Sequence, residues 1–457
     1  MIDSGIFRQY DIRGVVDRDL TESAVYAIGR GFAALLVERG VAPRVVVGRD
    51  NRPSGTRLVA ALVRGLTECG VTVTDIGVVP TPAVYWSLHH LDVAAGIQVT
   101  GSHNPPEFNG LKICVGTASL HGDGIQRLRT LAEGRVHPEG VGSVVTASVL
   151  ERYVDDLVTR TGRLSRPLKV VADCGNGAAS LVARGLLQRI GADVTMLFDE
   201  SDGTFPNHHP DPTVVENLQD LITSVRRTGA DLGIGFDGDA DRIGIVDGTG
   251  TIIWGDYLLL LYARDVLART GRGQPIIFDV KCSQALTDGI TAAGGTPVMW
   301  KTGHSLIKDK MKELGAPIAG EMSGHMFFTE GFYGHDDALY AAARLLRIVA
   351  DSGQSVATLL SDVPRFVSTP EIRVDCADDR KFAVVEAALA HFSALREVIG
   401  VDGARVMYGD GWGLIRASNT QPILVLRIEA RSEDRVAAIR REFSDWLQTQ
   451  GVTFSAA

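Results

Sequence analysis

Three aspartates alternate with small residues in Asp237-Gly238-Asp239-Ala240-Asp241-Arg242. Carboxylates at i, i+2 and i+4 on a tight loop converge their oxygens, and hard divalent cations take oxygen ligands. Left uncompensated, the three charges repel one another, so a bound cation is the economical reading. A solvated acidic turn is the plain alternative. An EF-hand is excluded, because Arg242 stands where its loop needs glycine and Gly248 where it needs glutamate. Three carboxylates with open positions suit Mg2+ bridging to a phosphoryl oxygen.

Three further segments carry chemistry. Thr100-Gly101-Ser102-His103-Asn104-Pro105-Pro106 follows the apolar run Ala94 to Val99, at the carboxyl end of an expected strand. Ligands of open α/β sheets bind at such ends. Ser102 there is either a turn serine or helix N-cap, or a nucleophile held on a loop with basic groups nearby. Asn109-Gly110-Leu111-Lys112 then brings a lysine back toward it. Gly320-Glu321-Met322-Ser323-Gly324-His325 follows the apolar run Ala316 to Ala319. Its Glu321 and Ser323 can exchange hydrogen bonds with sugar hydroxyls, although an ordinary surface acid reads the same way. Arg416-Ala417-Ser418-Asn419-Thr420 combines a guanidinium fork, hydroxyls and an amide, which matches phosphate geometry.

These loops need a scaffold, and the chain repeats one. Short β-branched runs begin at Val45, Val170 and Ile276, and a second strand follows each at Val71, Val194 and Val298, that is 26, 24 and 22 residues on. That spacing fits a βαβ crossover with parallel strands. Three related α/β domains follow, expected over 1–147 (serine loop), 148–250 (aspartate loop) and 251–367 (glutamate loop). The region 368–457 groups its strands between flanking helices, so an α+β domain carrying the arginine loop is expected there. Within it we expect a helix from Asp379 to Val398, with Phe382, Val385, Leu389 and Phe392 on its apolar face. Four domains would then enclose one central cleft, a favoured place for a ligand.

Bulk properties narrow the class. The 457 residues are 45% hydrophobic and 22% charged with a formal charge of −9, which suits a soluble globular protein and argues against a nucleic-acid binder. Cys69, Cys114, Cys174, Cys282 and Cys376 form no CxxC pair, so neither a disulfide framework nor a zinc site is expected. No apolar signal core opens the chain, and no apolar run reaches the roughly 18 residues of a membrane helix. A cytoplasmic protein is expected, without a membrane partner, as a monomer or small homo-oligomer.

Taken together, Ser-His-Asn-Pro, Asp-Gly-Asp-Ala-Asp-Arg, Gly-Glu-Met-Ser-Gly-His and Arg-Ala-Ser-Asn-Thr, in this order along essentially the whole chain, resemble the α-D-phosphohexomutases. The likeness is strongest to the bacterial phosphomannomutase/phosphoglucomutase branch. Phe7-Arg8-Gln9-Tyr10-Asp11-Ile12-Arg13-Gly14 is similar to that family's opening motif. The resemblance implies three α/β domains with mixed sheets plus a C-terminal α+β domain. It implies a phosphoserine at Ser102, Mg2+ held by Asp237, Asp239, Asp241 and an oxygen on Ser102, and Arg242 beside the transferred group. Glu321 and Ser323 would hold the sugar, and Arg416, Ser418, Asn419 and Thr420 the non-transferred phosphate. Tyr10, Arg13, Lys112, Lys281, Thr302, Gly303, His304 and His325 match cleft positions, with Lys112 and His304 both open as the general base. The implied substrate is a hexose phosphate, mannose or glucose, with a hexose 1,6-bisphosphate as intermediate and activator. Gly101 stands where many relatives have alanine, and is expected to loosen the loop. Phosphoglucosamine mutase, a Mg2+-dependent sugar phosphatase and a non-catalytic sugar-phosphate sensor are the rival readings.

Overall fold

The computed structural model describes residues 2–419 and 421–454. Strand Arg44–Arg49 pairs in parallel with Thr72–Val78 on one side and Ala95–Val99 on the other; Phe108–Val115 returns antiparallel to Ala95–Val99. The plan recurs with Lys169–Asp173 between Asp193–Leu197 and Leu232–Phe236, and Ile243–Asp247 antiparallel to the latter. It recurs again with Pro275–Asp279 between Thr296–Trp300 and Ile318–Gly320, and Met326–Phe328 antiparallel. Each of the three expected crossovers therefore joins parallel strands. Extra strands extend the first two sheets: Ile12–Val15, Ala118–Ser119 and Ser143–Thr146 in the first, Ile252–Ile253 in the second.

Strand periodicity decides where the cores sit. Successive side chains point to opposite faces. Val45 and Val47 join the core beneath helices Glu22–Glu38, Gly55–Thr67 and Asp123–Glu133. Val46 faces the other way, into a core shared with helices Thr81–His90 and Leu150–Thr161 and with the second and third units. Helices on both faces leave no wet side, which is why the run is valine throughout. Helix Gly55–Thr67 buries Leu58, Leu62 and Leu66, an i, i+4, i+8 stripe. Each such side chain contributes roughly 1.5–3 kcal/mol of burial.

The last unit is an antiparallel sheet. Ile423–Ala430 pairs with Val367–Ser368, Ile372–Asp375 and Gly411–Ala417, and Ala404–Met407 and Val398–Ile399 continue it outward. Ile415 and Ala417 face helices Lys381–Ser393 and Glu433–Thr449, while Trp412 and Leu414 pack against Val280 of the third unit. The expected helix to Val398 is too long. It ends at Ser393, and Val398–Ile399 forms an edge strand because the turn at 400–403 folds it back onto Ala404–Met407. Phe382 is 52% exposed; the buried stripe runs through Lys381, Val384, Val385, Ala388 and Phe392, one step around the helix from the expected face. Lys381 tolerates burial because its ammonium bonds Asp378 and the Gln421 carbonyl. Among the described residues no helix is long and apolar enough to cross a membrane, and all five cysteines are free thiols.

Candidate active site

The serine, aspartate and glutamate loops occupy the same place in their units, the turn between the third parallel-sheet strand and its antiparallel return: after Ala95–Val99, after Leu232–Phe236 and after Ile318–Gly320. Threefold use of one turn explains why three unlike sequences meet. Backbone bonds tie the aspartate loop to the units on either side. Ile243 N donates to Gly324 O (3.1 Å), Thr81 N to Asp239 O (2.9 Å) and Ala338 N to Ala240 O (3.2 Å). At Gly238 a Cβ would lie 2.5 Å from the Ser102 carbonyl oxygen, so only glycine lets the aspartate loop approach the serine loop this closely.

Ser102 is 1% exposed and left-handed, at φ +51°. Its Oγ donates to Asp237 Oδ2 (3.2 Å) and lies 3.1 Å from His103 Nδ1. Burial, with the cations Arg242 and Arg13 nearby, holds the His103 imidazole well below its ordinary range. Arg13 itself pairs with Asp11 (2.5 Å). Asp237, Asp239 and Asp241 are all 0% exposed, with ligand oxygens within 4.8 Å of one another. Asp239 Oδ1 is buried without a protein partner. An inward-facing set of oxygen donors with one orphaned atom fits a hard divalent cation. Lys112 Nζ donates to Asp239 Oδ2 (3.0 Å) and to Asp241 Oδ2. Burial and the neighbouring Asp239 and Asp241 push the Asp237 carboxyl well up. For Asp241 burial acts the same way, but Lys112 and His325 outweigh it and hold the carboxyl well below its usual range.

The network continues into the third unit. His325 bonds Asp241 Oδ1 through Nε2 (3.1 Å) and Glu321 Oε2 through Nδ1 (2.9 Å). Burial alone would lower this imidazole; Asp241 and Glu321 push it up to about 9. Ser323 Oγ lies 3.3 Å from His325 Nδ1, and Glu321 Oε1 accepts from Gly303 N (2.7 Å). Thr302 Oγ1 donates to Asp279 Oδ2 (3.1 Å). His304 is buried, with neither ring nitrogen hydrogen-bonded and Nδ1 3.7 Å from Asp336 Oδ2, and burial, with Lys308 beside it, holds it well below its ordinary range. Lys281 Nζ reaches Glu371 Oε2 (3.4 Å), on the segment entering the last unit.

The fourth loop closes the ring. Arg416 donates to Asp402 Oδ2 through Nε (3.1 Å) and Nη2 (3.0 Å), and the same oxygen accepts from Thr302 N (3.0 Å). Tyr10 Oη donates to Thr302 O (2.6 Å) and accepts from Asn419 Nδ2 (2.5 Å). Ser418 is buried and its Oγ accepts from Gln421 N (3.1 Å). Thr420 lies outside the described residues.

Sequence reading missed Asp402, Thr81, Arg52 and Asp50. Thr81 Oγ1 donates to Asp239 Oδ2 (2.5 Å) from 158 residues away, and Asp402 serves Thr302 from 100 residues away. No local spacing encodes such partners. For Gly101 the outcome reverses the expectation: a Cβ would lie 2.5 Å from Arg52 Cζ, so the glycine packs the loop rather than loosening it.

Four family models match the chain in succession: phosphoglucomutase/phosphomannomutase alpha/beta/alpha domain I over 4–133, domain II over 151–250, domain III over 254–366, and the C-terminal domain over 371–445. A phosphomannomutase/phosphoglucomutase of Pseudomonas aeruginosa is 49% identical over 451 residues, covering 97% of this chain and 96% of that protein. A phosphoglucomutase of Neisseria gonorrhoeae is 45% identical over 449 residues, 97% of each. The crystal structure of a phosphoglucomutase/phosphomannomutase family protein from Burkholderia thailandensis superposes with a TM-score of 0.92 at 43% identity, covering 99% of this chain and 100% of that one. With a matched model for each unit and relatives this similar along the whole length, the chain belongs to the phosphoglucomutase/phosphomannomutase family.

Proposed function

We propose that this phosphohexomutase acts on mannose and glucose phosphates alike, with Ser102 as the phosphoryl carrier and a hexose 1,6-bisphosphate as intermediate and activator. The enzyme is an intramolecular phosphotransferase that interconverts hexose 1-phosphate and hexose 6-phosphate. The observation that carries the residue roles is the meeting of Ser102 Oγ with the buried carboxylate triad, 3.2 Å from Asp237 Oδ2. When bound by Asp237, Asp239 and Asp241, Mg2+ supplies positive charge to the transferring phosphoryl group.

Phosphoserine at 102 gives its phosphoryl to O6 of a hexose 1-phosphate. The resulting bisphosphate turns end for end, its C1 phosphoryl returns to Ser102, and the 6-phosphate leaves. Arg242 stabilises charge on the transferring group, where positioning and electrostatics dominate. Lys112, locked as an ammonium between two carboxylates, is ill suited to take a proton. Neither His304 ring nitrogen is taken up by a hydrogen bond within the protein, and we assign it the base role. Glu321 and Ser323 hold O3 and O4, which glucose and mannose share as equatorial hydroxyls, so the contacts tolerate either sugar at C2. Arg416, Ser418 and Asn419, with Thr420, Lys281, Tyr10 and Arg13, grip the other phosphate in both orientations.

The test compares kcat/KM for mannose 1-phosphate, glucose 1-phosphate and glucosamine 1-phosphate, with Mg2+ and a trace of glucose 1,6-bisphosphate. Turnover of the first two with little of the third supports the reading. A preference for glucosamine 1-phosphate moves the assignment to that sugar, and phosphate release without isomerisation replaces it with a phosphatase. Ser102→Ala loses most turnover while keeping its fold; near-normal activity would remove the phosphoserine role.

A further inference from the structure

We infer that Arg52 is the positioning residue for the nucleophile, fixing the Ser102 loop from beneath in both its bare and phosphorylated states. The inference rests on the phosphoserine reading above. The Arg52 side chain is 0% exposed, and a guanidinium has five N–H donors in a rigid fork. Every one is used. Nε donates to Asp50 Oδ2 (3.0 Å), Nη1 to the carbonyls of Pro105 (2.5 Å) and Phe108 (3.1 Å), and Nη2 to those of Ser102 (2.7 Å) and Asn104 (2.5 Å). Three of the five acceptors are main-chain oxygens of the loop that carries the serine, and a fourth, Phe108 O, opens the strand into which that loop returns. Asp50 completes the grip, because its Oδ2 also accepts from Thr100 Oγ1 (2.7 Å) and Gly101 N (3.1 Å).

Such a clamp answers a physical need. Ser102 sits at φ +51°, a conformation that a residue with a side chain holds only when its surroundings over-determine it. During turnover its Oγ alternates between a hydroxyl and the ester oxygen of a phosphate dianion. Bonds to the Oγ itself change with that cycle, whereas bonds to the loop carbonyls do not. Two features keep the guanidinium in place. Gly101 leaves room for it, since a Cβ there would lie 2.5 Å from Cζ. On another side the Phe205 ring of the second unit lies against it, with Cζ 5.1 Å from the ring centroid.

The experiment uses the full-length enzyme and the variants Arg52→Lys, Gly101→Ala and their combination. Lysine keeps the charge for Asp50 but offers three donors on one atom, which cannot span four carbonyls. Arg52→Lys should lower kcat on the order of 10²-fold, the cost of displacing a reacting group by about an ångström, with KM within about threefold. Single-turnover phosphorylation of Ser102 by glucose 1,6-bisphosphate should slow by the same factor. Gly101→Ala should show the same split, and the double variant should be no worse than Arg52→Lys alone, because the obstructed guanidinium is then absent. If Arg52→Lys does not fold, Gly101→Ala carries the kcat and phosphorylation comparison by itself. Unchanged kcat per folded enzyme, or a rise in KM at constant kcat, overturns the inference. Phosphorylation of wild-type Ser102, followed by intact mass, separates the two levels: a wild type that never takes the phosphoryl group defeats the parent reading, whereas a competent wild type beside fully active variants defeats the clamp alone.

Discussion

Lys112 sits where three buried carboxylates would otherwise face one another. Asp239 and Asp241 are 0% exposed, and the Lys112 ammonium bonds both. Removing one partner of a buried ion pair costs on the order of 3–5 kcal/mol, because the other charge stays behind unpaired. A divalent cation among the triad can replace part of that compensation, and a ligand that binds only the folded state stabilises it by about 2.7 kcal/mol at a hundred times its Kd. Lys112→Met should therefore melt well below wild type in the presence of EDTA. It should also gain more from saturating Mg2+ than wild type does. Thermal melts of both proteins with and without the ion check this, and equal Mg2+ shifts would mean that the ammonium is not what balances the triad. The change also separates compensation from proton transfer, since His304 is left untouched.

Strands and turns were the most legible features of the chain. The recurring spacing revealed three crossovers, and a loop after a strand fixed where the chemistry sits. Side chains that reach across the molecule were invisible, as with Thr81 on Asp239 and Asp402 on Thr302. So was the phase of a short amphipathic helix, where Lys381 rather than Phe382 faces inward. Histidines of the segment between Asp193–Leu197 and the second unit's next helix belong to that hidden class. His208 Nε2 bonds Asp173 (3.0 Å), at the end of the strand Lys169–Asp173. Burial lowers this imidazole, but Asp173 outweighs it and leaves the pKa raised. A raised folded-state pKa stabilises below the unfolded value of about 6.5, and the gain is lost as pH rises through the folded value. His208→Gln should thus melt lower than wild type at pH 5.5, and the gap should close toward pH 9. A gap that widens with pH would show that the imidazole is held neutral instead.

At the scale of the whole molecule, two kinds of contact join the fourth unit to the rest. One is buried: Arg405 donates to the carbonyls of Val280 (2.6 Å) and Cys282 (2.7 Å) and Arg427 to that of Lys281 (2.6 Å), with Arg405 held within its own unit by the Trp412 ring, 3.7 Å from the centroid. The other faces the cleft, where Tyr10 holds Thr302 and Asn419 through a single hydroxyl. A bisphosphate that turns within the cleft needs the second set to open while the first remains as pivot, and such closures often govern turnover. Tyr10→Phe removes both cleft bonds and leaves the pivot intact. Its open population should rise, and X-ray scattering should report a larger radius of gyration for the ligand-free protein. The intermediate should also escape more often before its second transfer, leaving unphosphorylated enzyme behind. The concentration of added glucose 1,6-bisphosphate that gives half-maximal activity should then rise severalfold. Were scattering and activator dependence both to match wild type, Tyr10 would be a contact of the cleft wall and closure would depend on other bonds, with the Asp402 bridge between Arg416 and Thr302 next in line.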